Sequence, residues 1–332
     1  MKPMKVVISS SILAIAISTG FTAGNSAGQA AAYLKLGVDA RILGMGGAGS
    51  TVSRDVNATY WNPAGLTNVR DREVAAMHTS LSLDRNYNSF SYATPVGDRG
   101  WVLGAAYHRF SVDGIPETRV HDQDVDANGR MDDPILVGDT LDVNGNVVNA
   151  TDPGRTVAPV QIFSYFEDAE SYISFSAAKQ ICNKLFFGGT TKFLRQELFD
   201  ADADGYGIDL GLHYDFSEKA QFGISMRNMF SSLDWSTGRR DEVPMTTTIG
   251  GAVKLNSGIQ LVADVVKRES EKADVRLGAE KWFKDKYGLR LGNNEGDFTV
   301  GASAKLNEWS FDYAYNDQDL GSVQRISLKR SF

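Results

Sequence analysis

Through Tyr206, Gly207, Ile208, Asp209, Leu210, Gly211, Leu212, His213, Tyr214, Asp215 and Phe216, apolar or aromatic side chains alternate without a break with small or ionisable ones. A period of two marks an extended strand with one apolar and one wet face. Sustained over about 9–11 residues, it gives the length at which a tilted strand crosses a bilayer. The pattern recurs. Trp309, Phe311, Tyr313 and Tyr315 oppose Ser310, Asp312, Ala314 and Asn316, and Phe298, Val300, Ala302, Ala304 and Leu306 form another apolar row. Ile259, Leu261, Ala263 and Val265 do the same, as do Val275, Leu277 and Ala279, which leave Asp274, Arg276 and Glu280 on the other face.

From Glu73 onward fourteen such segments can be placed, among them 100–110, 169–180, 203–215, 219–229 and 321–332. An even count suits a single-chain bacterial barrel, in which short inner turns alternate with longer outer loops. The connections obey that order. Residues 96–99, 181–183, 216–219, 256–257, 283–285 and 307 make one set, all short, and the long insertions 111–168 and 230–244 both fall in the other. A soluble β-sandwich also alternates, but its strands usually run about 5–6 residues. The expected fold is therefore all-β: a transmembrane antiparallel β-barrel of about 14 strands over 73–332, with one long extracellular loop at 111–168. The inward row is read as Asp209, His213, Asp274, Arg276, Glu280 and Arg325, a polar lumen unlike a slide for fatty acids.

The chain starts with Lys2 and Lys5, an apolar run from Val6 to about Phe21, and then small residues including Ala30 and Ala32. This reads as a cleaved signal peptide over 1–32, with export to the bacterial outer membrane. Losing its two lysines moves the formal charge from -7 to about -9, which excludes nucleic acid as a natural partner. Beyond the leader no run of about 18 apolar residues could form a transmembrane helix. Cys182 is the single cysteine, so no intrachain disulfide can form.

Residues 33–72 are rich in Gly and Ala and broken by Asn62-Pro63, which favours compact turns over a strand. Gly44, Gly46, Gly47 and Gly49 allow close backbone approach and positive φ, and Pro63 fixes a turn, so the segment can fold tightly inside a narrow bore. Asn62 can bond backbone groups of segment and wall, or cap a short helix. Gly44 to Gly49 also spells G-x-G-x-x-G, but no βαβ unit surrounds it, so a dinucleotide site is rejected.

Two stretches carry a family resemblance. Asp39 to Ala48, with Arg41, Gly44, Gly46 and Gly47, and Asp55 to Leu66, with Asn62, Pro63, Ala64 and Gly65, resemble the N-terminal signature of FadL-like outer-membrane proteins, most of all the PorV/PorQ type. The C-terminal run Phe311 to Tyr315 with Arg325 to Leu328 is similar to the last hairpin of that group. The resemblance implies a fourteen-strand barrel whose N-terminal segment, here 33–72, plugs the lumen. It also implies passage of small amphipathic or hydrophobic compounds or, in the alternative, a non-enzymatic partner or shuttle role in a type IX secretion translocon that handles exported proteins. Terminal Phe332 on an alternating strand resembles the signal read by the barrel-assembly machinery, with Arg330 interrupting the parity.

Two acidic half-motifs suggest calcium. Asp124, Asp126, Asn128 and Gly129, with Asp132 at the ninth position, follow the start of a calcium loop but lack its bidentate Glu; Asp200, Asp202, Asp204 and Gly205 repeat the half-motif. Acid-Gly steps also simply make turns. No other cofactor is expected. Asn144-Gly145 predicts a hairpin inside the long loop. His78, His108, His121 and His213 are scattered and fit no hydrolase or zinc motif, so no enzyme is expected; His213 is read as a wall residue bonded to Asp209 or Asp215.

Overall fold

A computed structural model of the protein describes residues 30–82, 84–97, 100–120, 140–141, 147–149, 160–318 and 321–332. Fourteen long strands form the wall: β1 Glu73–Leu81, β2 Arg85–Val96, β3 Trp101–Val120, β4 Val160–Cys182, β5 Leu185–Leu198, β6 Ala201–Asp215, β7 Ala220–Trp235, β8 Thr246–Lys254, β9 Ile259–Arg268, β10 Ala273–Phe283, β11 Tyr287–Asn294, β12 Asp297–Leu306, β13 Trp309–Gln318 and β14 Gly321–Ser331. Each pairs antiparallel with its neighbour, and β1 pairs with β14 from Glu73 opposite Ser331 to Ser80 opposite Gln324, which closes the sheet on itself. Closure leaves no unpaired edge, the condition for a sheet to survive in hydrocarbon.

Parity decides which side chains meet which solvent. On β6, Gly207, Asp209, Gly211 and His213 are buried inside while Tyr206, Ile208, Leu212 and Tyr214 are exposed outside, as the alternation predicts. Phe90, Phe175, Phe193, Leu261, Val275 and Phe311 belong to the same exposed apolar exterior. An apolar surface that wraps a whole molecule is stable only against lipid. Arg330 is no fault in the pattern. It lies outward at the end of β14 with its guanidinium 5.1 Å from the Trp309 ring and 4.5 Å from the Phe332 ring, where a long cationic side chain reaches the interface.

The observed strand ends fall within two residues of the predicted ones except where β3, β4 and β7 run longer. β3 and β4 extend to Val120 and back from Val160, so the two ends of the expected loop 111–168 form the stem of a tall hairpin, with register shifts near Gly114 and Thr118. Inside it, Thr140–Leu141 pairs with Val147–Asn149, flanking the predicted Asn144-Gly145 turn, which itself lies outside the described residues. β7 continues to Trp235 and pairs with a short strand, Arg240–Glu242; along it Asn228 and Phe230 take positive φ of 59° and 53° where the register against β6 shifts. Residues 1–29 of the predicted signal peptide 1–32 and the first calcium half-motif, Asp124, Asp126, Asn128 and Asp132, also lie outside the described residues. In the second half-motif β6 begins at Ala201, so Asp202 and Asp204 lie on extended backbone, and Asp204 faces Arg195 at 3.4 Å.

Candidate functional site in the lumen

Residues 30–69 lie inside the wall, almost wholly buried, as short turns of helix at Ala32–Lys35, Ala40–Leu43, Ala58–Trp61 and Pro63–Asn68. None of these turns is long enough to be stable alone, so their order comes from what they touch. The wall makes room by omitting side chains. Gly188 faces Gly211, Gly223 faces Gly250 and Gly278 faces Gly292 in direct cross-strand pairs, all turned inward. A Cβ on Gly223 would stand 2.7 Å from the Ser50 carbonyl oxygen, and one on Gly278 2.6 Å from Met45. Gly46 approaches the wall from the other side with φ of 69°, a conformation that also favours glycine.

Asn62 joins both roles that its sequence position allows. Its Nδ2 donates to the carbonyls of Ser50 (2.8 Å) and of wall residues Leu212 (3.0 Å) and Ile224 (3.4 Å), while its Oδ1 accepts from the Ala64 amide at 3.2 Å and so caps the Pro63–Asn68 turn. Gly65 lies under Ser53 and Ala58, close enough that any Cβ would clash.

Charged side chains complete the docking. Arg41 makes a bidentate pair with Glu280 at 2.9 and 2.7 Å, and Glu280 also accepts from Arg290 Nε at 2.6 Å. Arg54 binds Asp215 through two bonds of 3.0 and 2.9 Å, Lys329 pairs with Asp55, and Lys35 reaches Glu271 at 2.7 Å. The Ser50 amide and hydroxyl both donate to Asp264, at 2.9 and 2.6 Å. Burial works against ionising Asp55, yet Lys329 and Arg41 hold its carboxyl below the usual range. At Asp39 burial, reinforced by Asp55 and Asp312, outweighs the same two cations and pushes the carboxyl up to about 7.

The predicted lumen-facing residues all point inward, but they are spent on other wall residues and on the segment. Asp209 pairs with Lys192 at 2.8 Å, His213 bonds Asp215 at 3.0 Å, Asp274 accepts from Arg268 at 2.7 Å, Arg276 reaches the Gly47 carbonyl at 3.4 Å, and Arg325 donates to Asn316. Toward the outer end the lining changes. Met77, Tyr87, Phe110, Tyr172, Leu194 and Leu233 cluster there over Tyr33 and Tyr60 of the segment. The buried His108 ring stacks on Tyr172 with centroids 4.3 Å apart, and Arg227 sits 4.6 Å above the Tyr60 ring. This aromatic zone was not read from the sequence. Its signal was a tyrosine on the small-residue parity of β2, where Tyr87 precedes Ser89, Ser91 and Ala93, all buried.

No protein-family profile matches the sequence, and no curated protein matches it. Solved structures do. The CymD monoaromatic hydrocarbon channel is 15% identical, with 90% of this chain and 98% of that chain covered and a TM-score of 0.59. The toluene transporter TbuX of Ralstonia pickettii is 14% identical over 89% of this chain and 98% of its own, with a TM-score of 0.58. A Pseudomonas aeruginosa FadL homologue is 10% identical over 86% and 96%, with a TM-score of 0.52. Fold and lumen together define a closed transmembrane barrel. Its architecture is that of the FadL-like barrels, the type to which the N-terminal motifs pointed.

Proposed function

We propose that the protein is an outer-membrane channel for small hydrophobic or amphipathic compounds, with residues 33–72 as the plug that limits flow. The observation that carries this reading is the aromatic zone on the outer side of a segment clamped across the bore: there the lumen offers rings and aliphatic groups, and the charges among them are held by partners, Lys192 by Asp209 and Arg227 by the Tyr60 ring. The described structures of similar fold are hydrocarbon channels and transporters by name, which supports the same substrate class. Nothing in this reading calls for turnover; His213 is tied to Asp215 as a wall residue. Export by the 1–32 leader and assembly through Phe332 accord with it.

Proteoliposomes carrying the protein should take up toluene faster than empty ones, and deletion of 33–66 should raise single-channel conductance in planar bilayers. Equal uptake and unchanged conductance would remove the proposal. The tall β3–β4 hairpin favours a second reading, in which the PorV-like barrel engages a type IX translocon or its cargo beyond the membrane. Co-purification of a large secretion complex that is lost on trimming that hairpin would favour the second reading over the first.

A further inference from the structure

At the short-turn end of the barrel, between the segment and the inner ends of the strands, lies a cavity of about 430 Å³ that borders the clamp and is separate from the aromatic zone. In a chain of net charge -7 its lining is cationic: Arg41, Arg54, Lys219, Lys254, Lys305 and Lys329 outnumber Asp55, Glu73 and Glu218. Arg41, Arg54 and Lys329 are matched by Glu280, Asp215 and Asp55. Lys219 bonds only the Asn256 amide oxygen, at 2.8 Å, and Lys254 and Lys305 have no ion pair among the described residues. Lys305 instead stands 4.1 Å from the Trp282 ring centroid, and Arg290 holds the same ring at 5.2 Å. A further donor, Arg54 Nε, is buried without a partner.

Uncompensated ammonium groups around a walled cavity concentrate anions, because the low-dielectric wall focuses their field. A cavity of this size suits a small molecule. We propose that this vestibule binds the carboxylate or phosphate group of a small soluble anion, with Lys254 and Lys305 as its charge partners and Trp282 as the surface for an attached apolar part. The inward parity of Lys254, Trp282 and Lys305 turns the site to the lumen rather than to lipid headgroups. The inference goes beyond passage of neutral compounds and does not depend on it.

Isothermal titration of the full-length protein in phosphatidylcholine nanodiscs, with benzoate and with inorganic phosphate as probes, tests the site. Wild type should bind at least one of them, and should lose affinity in 1 M salt. Lys254→Gln with Lys305→Gln should weaken binding at least tenfold while preserving heat-modifiable mobility, and Lys267→Gln at the opposite end should leave it unaltered. Benzyl alcohol, which matches benzoate without the charge, should not compete. Absence of heat with both anions, or binding indifferent to the lysine pair, would overturn the assignment. Loss of binding in phosphatidylglycerol nanodiscs would overturn the soluble source in favour of a headgroup.

Discussion

The two halves of the lumen are built on opposite principles. Toward the inner end the wall gives up side chains, and the segment is fixed by backbone contact, by Asn62 and by paired charges. Toward the outer end the wall presents large rings and aliphatic chains, and the segment offers Tyr33 and Tyr60 as their floor. The difference separates holding from receiving. On the proposed reading, the segment clamped at one level closes the bore while the rings above it accept a hydrophobic solute.

The strongest way to break that contrast is to fill the glycine belt. Gly292→Leu needs the space of Met45 and Gly46, so the segment should leave the wall. Conductance should rise several-fold, and limited trypsin digestion should cut at Arg41 and Arg54, where the wild type should resist. Next comes Glu280→Ala. Removing the shared partner of Arg41 and Arg290 leaves Arg41 without its ion pair and Arg290 with Asp312 alone, a loss of about 3–5 kcal/mol for a buried pair broken on one side. A lower urea midpoint in lipid would register it, with Glu280→Gln intermediate.

A substitution in the outer half should sharpen the comparison from the other side. Tyr172→Ala should leave trypsin resistance intact yet weaken toluene binding about tenfold, the scale of an aromatic contact of roughly 1.5 kcal/mol. Competition binding with a fluorescent aromatic probe would measure it. The smallest expected effect is that of pH. Because the folded-state value of Asp39 is raised to about 7 from 3.8, the cost of burying its charge is fully present above pH 7 and fades as pH falls toward 4. Docking should therefore be tighter at pH 5 than at pH 8, seen as slower amide exchange over 38–44 at pH 5 after correction for intrinsic rates.

What the sequence revealed followed from what solvent demands. Inside the bilayer each strand has two different solvents, so Tyr206 to Phe216 must alternate, and the strands could be placed to within a few residues. Beyond the bilayer both faces of a hairpin meet water. Nothing then enforces alternation, so Asp113, Gly114 and Pro116 read as loop while their backbone continues the β3–β4 ladder through register shifts. Asn62 was legible because its two local roles can be enumerated from its chemistry. Gly188, Gly223 and Gly292 were not, since a strand glycine announces a close approach without naming what approaches. The inward charges were read correctly in position, but they obscured Tyr87 and Tyr172, whose rings could equally have belonged to the lipid face.

The facing glycine pairs also determine what takes the segment's place when it moves. A helical core that loses an element can contract, but a closed hydrogen-bonded hoop keeps its circumference. The vacated waist, lined by bare backbone and by Glu280, Asp215 and Asp264, would have to fill with water. Opening this barrel is thus an exchange of peptide for a column of solvent, and osmotic stress becomes a direct handle on it: large excluded solutes that draw water from the bore should favour the closed state.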